Sequence, residues 1–479
     1  MSSHGDGRGS PVPHGRRQSV RRARREEGPH AVVVDDRGQE SERHLPATAT
    51  DRARPATAAD AVRPSALFPE RTENGLSSLL GPDSLHTSFQ RIMDLQTGAI
   101  VGYEAVVGGP ADSSFADPAA LASAARAMGM TPDLDAARWN GALAAAARED
   151  KPREVPLFIA VDPDSLTDLP DLHDHDAGGA VLQFDETALI RRPAHLMRVV
   201  AEVRRLGWAI AVDHVGVRPE SLALLPLLEP DVVKLDRTLL ATRPNRFTAR
   251  VVNAVAAQVE RTGAIVMAEG ITDEASALAA RAMGARVGEG PLYGSTTSLS
   301  GDSPVGSPLE FGTARARGAT PLSTPYNLAA GGLDVRRASK RLLIEISKNL
   351  ESMATDSRQT ALMMGAFQHL RHFTPLTGRR WELMAQNAAL VGALAENMGP
   401  EPAPKIRGAG LPASDPLREE WDVVVLSPHF SAVLAARDLG DGGPDMDRRF
   451  DYVLSHDPTL TIECARSLVA RLPPERSGS

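Results

Sequence analysis

Acidic residues in the middle of this sequence repeatedly follow short apolar runs such as Val232–Leu235 and Ile265–Ala268. These acids are Glu104, Asp162, Asp185, Glu186, Asp213, Asp236 and Glu269. One such acid could simply cap a helix. If the runs are parallel strands, however, their carboxyl ends meet at one edge and the acids converge there. Hard divalent cations such as Mg²⁺ prefer carboxylate ligands, and paired metals suit phosphodiester hydrolysis.

Lys234 lies inside one of these runs, two residues before Asp236, in a chain that mostly uses arginine. A compact ammonium can lie near a metal-bound water or a phosphate oxygen. A lysine whose aliphatic stem is buried by chance fits the sequence equally well.

The elements that would position these residues alternate in type. Strand-like runs cover Leu157–Val161, Val181–Phe184, Trp208–Val212, Val232–Leu235 and Ile265–Ala268. Helical patterns near residues 193–206, 219–227, 246–262 and 273–283 separate them, and a predicted hairpin around residues 96–99 precedes them. This alternation predicts parallel β/α units, and its length approaches that of a β/α barrel.

The composition limits the classes of protein to which this chain can belong. The chain has 479 residues, of which 24% are charged and 42% hydrophobic, as is ordinary for soluble globular proteins. A net charge of −8 argues against a protein that coats nucleic acid. The single cysteine, Cys464, cannot form an intrachain disulfide and is expected to be a small buried hydrophobe. No apolar run approaches the roughly 20 residues that span a bilayer, and no signal peptide is recognised, so a cytoplasmic protein is predicted.

Changes in composition and in apolar patterning divide the chain into segments. Residues 1–80 are rich in arginine, proline and glycine and are predicted to be a disordered tail, whose arginine pairs are either simply solvated or contact anionic partners. The barrel is predicted over residues 81–295, a linker over 296–325, a smaller α/β domain over 326–473 and a short tail over 474–479.

In the smaller domain, apolar spacing predicts helical faces at Leu342–Met353, Leu362–Leu370 and Leu383–Leu394. Strands are predicted at Val423–Leu426 and Phe450–Leu454, followed by helices at Phe430–Arg437 and Leu460–Leu472. His429 and His456 both follow predicted strands. Either they line a crevice for a small molecule or protein, or they belong to local turns and caps.

Six blocks in the barrel segment resemble the EAL domain family, in family order and spacing. They begin at Tyr103-Glu104-Ala105-Val106, Phe158-Ile159-Ala160-Val161, Val212-Asp213-His214, Val233-Lys234-Leu235-Asp236, Ala268-Glu269-Gly270 and Gly288-Glu289-Gly290. The resemblance implies an EAL-type TIM-like barrel and hydrolysis of cyclic di-GMP dependent on Mg²⁺ or Mn²⁺. It implies metal ligation by Glu104, Asp213 and His214, and roles for Lys234, Glu269 and Glu186 in catalysis or its support.

Several positions depart from the EAL pattern. Ala160 replaces an asparagine ligand, Gln183 a metal-binding glutamate, and His214 the second of two aspartates. Glu289 replaces a glutamine near the attacking water, Gly108 a phosphate-binding arginine, and Thr272 a glutamate. Because alanine offers no side-chain oxygen and imidazole suits transition metals better than Mg²⁺, we expect two-metal hydrolysis to be lost.

The C-terminal segment resembles the DICT sensory domain, through stretches that include Arg336–Leu343, His369–Pro375, Trp421–Phe430 and Arg449–Asp457. The resemblance implies a bacterial signalling protein but does not supply the ligand.

Three hypotheses remain open at this point. The first is a regulator whose degenerate barrel binds cyclic di-GMP or a signalling partner, with a homodimer expected through the barrel. The second is a phosphodiesterase with an altered metal site, and the third is a dimerisation scaffold that binds no nucleotide.

Overall fold

The computed structural model describes residues 85–148, 155–167, 180–297, 299, 306–307, 309–311, 323–357 and 360–473. The predicted tails at residues 1–80 and 474–479 lie outside the described residues.

Eight strands close into a barrel, in the order β2-β3-β4-β5-β6-β7-β8-β1, with β1 pairing back onto β2. The strands are β1 His86–Asp94, β2 Ile100–Gly108, β3 Leu157–Ala160, β4 Ala180–Asp185, β5 Ala209–Val215, β6 Val232–Leu235, β7 Ile265–Ala268 and β8 Val287–Gly288. Neighbours from β2 to β8 are parallel, whereas β1 is antiparallel to both β2 and β8. A two-residue strand, β9 Ser295–Thr296, also pairs with β1. The predicted barrel is therefore confirmed, with an inverted first strand that the hairpin explains.

Helices surround the barrel. They are α1 Pro118–Ala127, α2 Thr131–Arg148, α3 Glu186–Arg191, α4 Pro193–Arg205, α5 Ser221–Leu228, α6 Thr238–Ala241, α7 Arg246–Thr262 and α8 Glu274–Ala282. Helix α7 shows why the sequence forms such an element: the Asn245 side chain caps its first turn, and Gly263 ends it in the left-handed conformation. Its apolar face is buried through Val251, Ala254 and Val255.

The second domain is built on a seven-stranded mixed sheet of order β10-β16-β15-β14-β11-β12-β13. Its strands are β10 Arg336–Ser339, β11 Leu362–His369, β12 Leu390–Glu396, β13 Arg407–Gly410, β14 Glu420–Ser427, β15 Phe430–Asp438 and β16 Arg449–Ser455. Its helices are α9 Pro325–Ala330, α10 Lys340–Ser357, α11 Pro375–Ala385 and α12 Pro458–Val469.

Three predicted helical faces in this domain were wrong. Leu362–Leu370 is almost wholly strand β11, Leu390 and Leu394 lie on β12, and Phe430–Arg437 lies on β15. These segments are central in the sheet and covered on both sides, so their strands lack the apolar–polar alternation that distinguishes a strand from a helix. The helices predicted at Leu342–Met353 and Leu460–Leu472 correspond to α10 and α12.

The barrel and the second domain contact each other through arginine side chains. Arg466 of α12 donates to the carbonyl oxygens of Leu227, at 2.8 Å, and Pro226, at 3.1 Å, at the end of α5. Arg407 of β13 donates to the carbonyls of Arg191, at 2.7 Å, and Ile190, at 2.9 Å. These bonds satisfy helix-end carbonyls that lack an intrahelical partner.

Part of the segment predicted as a linker packs against the barrel. Leu299 and Leu309 are buried, and the Gly306 amide donates to the Ile100 carbonyl at 2.8 Å. Among the described residues, no helix combines the length and the apolarity needed to cross a bilayer.

Candidate functional site

The ammonium of Lys234 lies at the centre of the barrel mouth and is fully buried. Its Nζ is 2.8 Å from a carboxylate oxygen of Glu104, 2.9 Å from Glu269, 3.2 Å from Glu289 and 3.5 Å from Asp213. Glu104 lies in the middle of β2, Asp213 lies near the end of β5, and Glu269 and Glu289 directly follow β7 and β8. The barrel therefore brings together residues up to 185 positions apart in sequence (289 minus 104). We call Lys234 and these four acids the lysine cluster.

The cluster is electrostatically coupled. Burial opposes the charged form of Lys234, but the surrounding carboxylates raise its pKa well above the usual value. Burial likewise opposes ionisation of Glu104, yet the Lys234 charge and hydrogen bonds from its neighbours lower the pKa of Glu104 to about 2.

The pKa values of the other two glutamates, Glu269 and Glu289, are shifted upward, opposite to that of Glu104. Burial raises the pKa of Glu269 to about 7, against the attraction of Lys234. Burial and the nearby Glu104 charge raise the pKa of Glu289 well above its usual value. A single ammonium therefore does not hold all of these acids as carboxylates.

His214 lies at the rim of the mouth and is paired with an acid from the neighbouring strand. Its Nδ1 is 3.0 Å from a carboxylate oxygen of Asp185, and this hydrogen bond raises the pKa of His214 to about 10. Its backbone φ is +58°, a left-handed value that non-glycine residues rarely adopt. The Asp213 carboxylate accepts the His214 amide at 2.8 Å and supports this turn.

Glu186 is buried behind the rim and holds the segment that follows β5. Its carboxylate accepts from the Arg218 amide at 2.7 Å, the Ser221 hydroxyl at 2.6 Å and the Gly216 amide at 3.4 Å. Its geometry is that of a residue that positions the loop.

Four of the seven acids predicted to converge do not join the lysine cluster: besides Asp185 and Glu186, described above, these are Asp162 and Asp236. Asp236 accepts hydrogen bonds from the Thr238 amide and hydroxyl, and Asp162 accepts from the Asp164 amide at 2.9 Å. The carboxylates of Asp162 and Asp236 both act as local caps. The sequence analysis had offered capping as the alternative role of an acid that follows a strand.

The sequence predicted departures from the EAL pattern at Ala160, Gln183 and Gly108, and the surroundings of each are described by the structure. Ala160 ends β3 without a polar side chain, and Gln183 is buried on β4 with neither amide atom in a hydrogen bond of normal geometry. A Cβ built at Gly108 would lie 2.6 Å from the Ala116 carbonyl oxygen, so the backbone leaves no room for a side chain there. Glu289 was missed among the predicted site residues, although its place between Gly288 and Gly290 was a usable signal.

One group of described residues could hold a cation. Ligand atoms of Asp213, His214 and Glu269 all lie within 4.8 Å of one another. Glu104, predicted as a ligand with Asp213 and His214, lies outside this group and accepts a hydrogen bond from Lys234 at 2.8 Å. The donor set of two oxygens and one nitrogen fits a single transition-metal ion better than a pair of Mg²⁺ ions.

Comparison with known families identifies both domains. The family model of the EAL domain matches residues 73–296. The model named DICT, a sensory domain in diguanylate cyclases and two-component systems, matches residues 326–439. The chain contains an EAL domain followed by a DICT domain. The seven-stranded sheet extends beyond the residues that the DICT model matches, through β16, and helix α12 follows it.

Curated relatives match the EAL part. The cyclic di-GMP phosphodiesterase PA2567 of Pseudomonas aeruginosa is 28% identical over 234 residues, which are 45% of this chain and 39% of that protein. An uncharacterized protein of Azorhizobium caulinodans is 27% identical over 229 residues, 44% of this chain and 31% of the relative. The matches span between 28% and 39% of the length of the curated relatives.

Solved structures also align with this part. The EAL domain of Xanthomonas citri FimX in complex with c-diGMP aligns at 18% identity and a TM-score of 0.41, covering 49% of this chain and 96% of that one. A manganese and cy-diGMP complex of Klebsiella pneumoniae BlrP1 aligns at 23% identity and a TM-score of 0.40, covering 45% and 57%.

Proposed function

We propose that this chain is a cyclic di-GMP signalling protein whose EAL domain binds the nucleotide or a signalling partner without hydrolysing it, and whose DICT domain senses or docks. The match to the EAL family and the name of the P. aeruginosa relative support cyclic di-GMP as the nucleotide. The loss of turnover is our inference from the residues at the mouth.

The lysine cluster carries this proposal. Glu104, Glu269 and Glu289 each direct an oxygen to the Lys234 ammonium within 3.2 Å. Two-metal catalysis needs oxygens that clamp two cations, each with several ligands. With Ala160 and Gln183 in ligand positions of the family, too few oxygens remain to hold two ions.

Hydrolysis and binding are measured separately. Full-length protein is incubated with cyclic di-GMP and Mg²⁺ or Mn²⁺, and the linear dinucleotide is quantified against an active EAL phosphodiesterase. We expect no turnover above buffer, and turnover at the rate of the active enzyme would overturn the proposal. Calorimetric titration with Ca²⁺ present then decides between a nucleotide-binding and a partner-binding barrel.

A second function is favoured by one observation, the proximity of Asp213, His214 and Glu269. These residues could hold one Zn²⁺, Mn²⁺ or Co²⁺ ion and support slow hydrolysis. Turnover with one of these metals that disappears in both Glu104→Ala and His214→Ala would establish it. No turnover with any of them would exclude it.

The third candidate is a scaffold. It would give no heat with cyclic di-GMP and would form a stable homodimer in light scattering. A homodimer through the barrel is also compatible with the first proposal, so the titration, not the oligomeric state, separates the two.

A further inference from the structure

Two short helices of the EAL domain join the DICT contact to the barrel mouth. They are α3, with six residues, and α5, with eight, and they pack against each other. At about 1.5 Å per residue, α3 is about 9 Å long and α5 about 12 Å. One end of each helix lies at the mouth, and the other end contacts the DICT domain.

The DICT domain holds the far ends of both helices. Arg407 donates to the last two carbonyls of α3. Arg466 donates to the carbonyls of Pro226 and Leu227 near the end of α5. The last four carbonyls of a helix receive no bond from its own amides, so donors from outside fix these ends. Helix α5 depends on such a donor in particular, because Pro226 has no amide hydrogen and leaves one more internal bond unmade.

The near ends of α3 and α5 hold the loop that follows β5. We call residues 216–218 the mouth loop. Glu186, the first residue of α3, accepts from the amides of Gly216 and Arg218, at 3.4 Å and 2.7 Å. It also accepts from the hydroxyl of Ser221, the first residue of α5, at 2.6 Å. The Glu186 carboxylate therefore ties both helices to the mouth loop.

The mouth loop is continuous with the rim of the barrel. The Val217 amide donates to the His214 carbonyl at 3.3 Å, so all three amides of the loop are hydrogen-bonded. His214 is in turn paired with Asp185 at 3.0 Å. The Asp185 carboxylate caps α3 by accepting from the Thr187 amide at 2.7 Å. The start of α3 thus positions both the acid that holds the loop and the partner of His214.

The packing around α5 lets a movement at its far end reach its near end. All eight residues of α5 are buried. Protein interiors are close-packed and transmit strain, so a displacement at one end of an enclosed helix is passed to the other end. The bond between Ser221 and Glu186 passes the same movement to α3.

We propose that Arg407 and Arg466 of the DICT domain are positioning residues for the mouth of the EAL barrel. By fixing the far ends of α3 and α5, they keep Glu186 and Ser221 where these residues hold the mouth loop. A change in the DICT domain that withdraws these arginines releases the loop. The inference deepens the proposed function, and it rests on that function only in taking the mouth as the place where the nucleotide or partner binds.

Hydrogen–deuterium exchange of the full-length protein tests this, followed by mass spectrometry in the absence of nucleotide and metal. Exchange of hydrogen-bonded amides reports local opening, and the three amides of the mouth loop are all hydrogen-bonded. In Arg407→Met, Arg466→Met we expect peptides that cover residues 216–218 to exchange at least about ten times faster than in the wild type. Each single variant should give part of this acceleration, so the prediction remains testable if the double variant does not fold.

Matched controls separate positioning from general stability. The double variant Arg205→Met, Arg341→Met loses two exposed ion pairs, one within each domain, and should exchange at the wild-type rate. Strand β7 of the same barrel is the internal reference, and its exchange should change by less than about twofold in the docking variant. Arg407→Lys, Arg466→Lys keeps a charged donor at each position and should protect the mouth loop better than the methionine variant.

Two results would overturn the proposal. One is mouth-loop exchange at the wild-type rate in Arg407→Met, Arg466→Met and in both single variants. The other is equal acceleration in the mouth loop and in β7, because the arginines would then stabilise the fold without positioning the loop. Since no nucleotide is present, a barrel that fails to bind cyclic di-GMP leaves this result unchanged, and the two proposals fail independently.

Discussion

Lys234 is the residue on which the mouth of the barrel depends. A fully buried ammonium costs several kcal/mol in desolvation and persists only when it is paired and hydrogen-bonded. The four acids of the lysine cluster satisfy this requirement. The dependence is mutual, because the acids would repel one another without the central positive charge.

Replacing Lys234 should therefore destabilise the protein. We expect Lys234→Met to lower the free energy of unfolding by about 3–5 kcal/mol at pH 7, since breaking a buried ion pair leaves uncompensated charge. Urea denaturation in metal-free buffer measures this. Lys348→Met is the matched control, because Lys348 is an exposed partner of Glu345 and should change stability by less than about 0.5 kcal/mol. Equal stability of the two variants would contradict the account of the cluster.

Glu186 makes the stability of the EAL domain depend on pH. Burial raises its pKa from 4.5 to about 7, in spite of the donors from Arg218, Ser221 and Gly216. A raised carboxyl pKa contributes stability that is fully present below about pH 4.5 and is lost as the pH rises through about 7.

The neutral variant Glu186→Gln should remove this dependence. Between pH 5 and pH 8 the wild-type protein should lose up to about 3 kcal/mol more stability than Glu186→Gln, because one pKa unit corresponds to about 1.4 kcal/mol. Parallel stability curves for the two proteins over this range would contradict the prediction. Denaturant midpoints taken at half-unit intervals of pH are sufficient to separate the outcomes.

Among the elements, strand β2 ends in a way that leaves no room for a side chain at Gly108, where the resemblance to the EAL family predicted a replaced arginine. The turn after β2 folds back so that the Gly109 amide donates to the Phe115 carbonyl at 2.8 Å. The Ala116 carbonyl consequently lies against Gly108. The lack of space at Gly108 is therefore a property of the local backbone path.

Adding a single methyl group should reveal this close approach. Gly108→Ala places a Cβ 2.6 Å from the Ala116 oxygen, so the strand or the turn must shift, and we expect a loss of about 1–3 kcal/mol. Gly442→Ala is the control, because a Cβ there meets nothing within 4 Å. Thermal unfolding, followed by circular dichroism, compares the two variants. An unchanged unfolding midpoint for Gly108→Ala would show that the turn moves aside without a loss of stability.

For the whole molecule, the contact between the domains combines apolar packing with arginines that donate to helix-end carbonyls. Arg466 and Arg407 each donate two hydrogen bonds from the DICT domain to helix ends of the EAL domain. Hydrogen bonds to a charged group contribute about 1.5–3 kcal/mol each, so removal of both arginines should weaken the docking substantially.

We expect the double variant Arg407→Met, Arg466→Met to unfold in calorimetric transitions that lie further apart than those of the wild type. The control is Arg205→Met combined with Arg341→Met, since both of these arginines form exposed ion pairs within their own domains. Superimposable thermograms for the wild type and the docking variant would mean that apolar contacts alone hold the domains together.

The sequence by itself was enough to predict the barrel. The strands and helices of the barrel depend on local periodicity and on capping residues, and both can be read from short segments of the chain. The strands at Val232–Leu235 and Ile265–Ala268 and the helix at Arg246–Thr262 agree with the prediction to the residue. In the DICT domain the same reasoning failed at Phe430–Arg437, since a strand covered on both faces has no periodicity of its own.

Only the tertiary structure decided what the acids do. The sequence placed Asp236 and Glu269 alike at strand ends, yet one caps a turn and the other meets Lys234. It also left the roles of His429 and His456 open, and the fold placed both on one interdomain cavity. The reason is physical: a strand end fixes where a side chain begins, but its partner is chosen by distances between elements that are far apart in the chain.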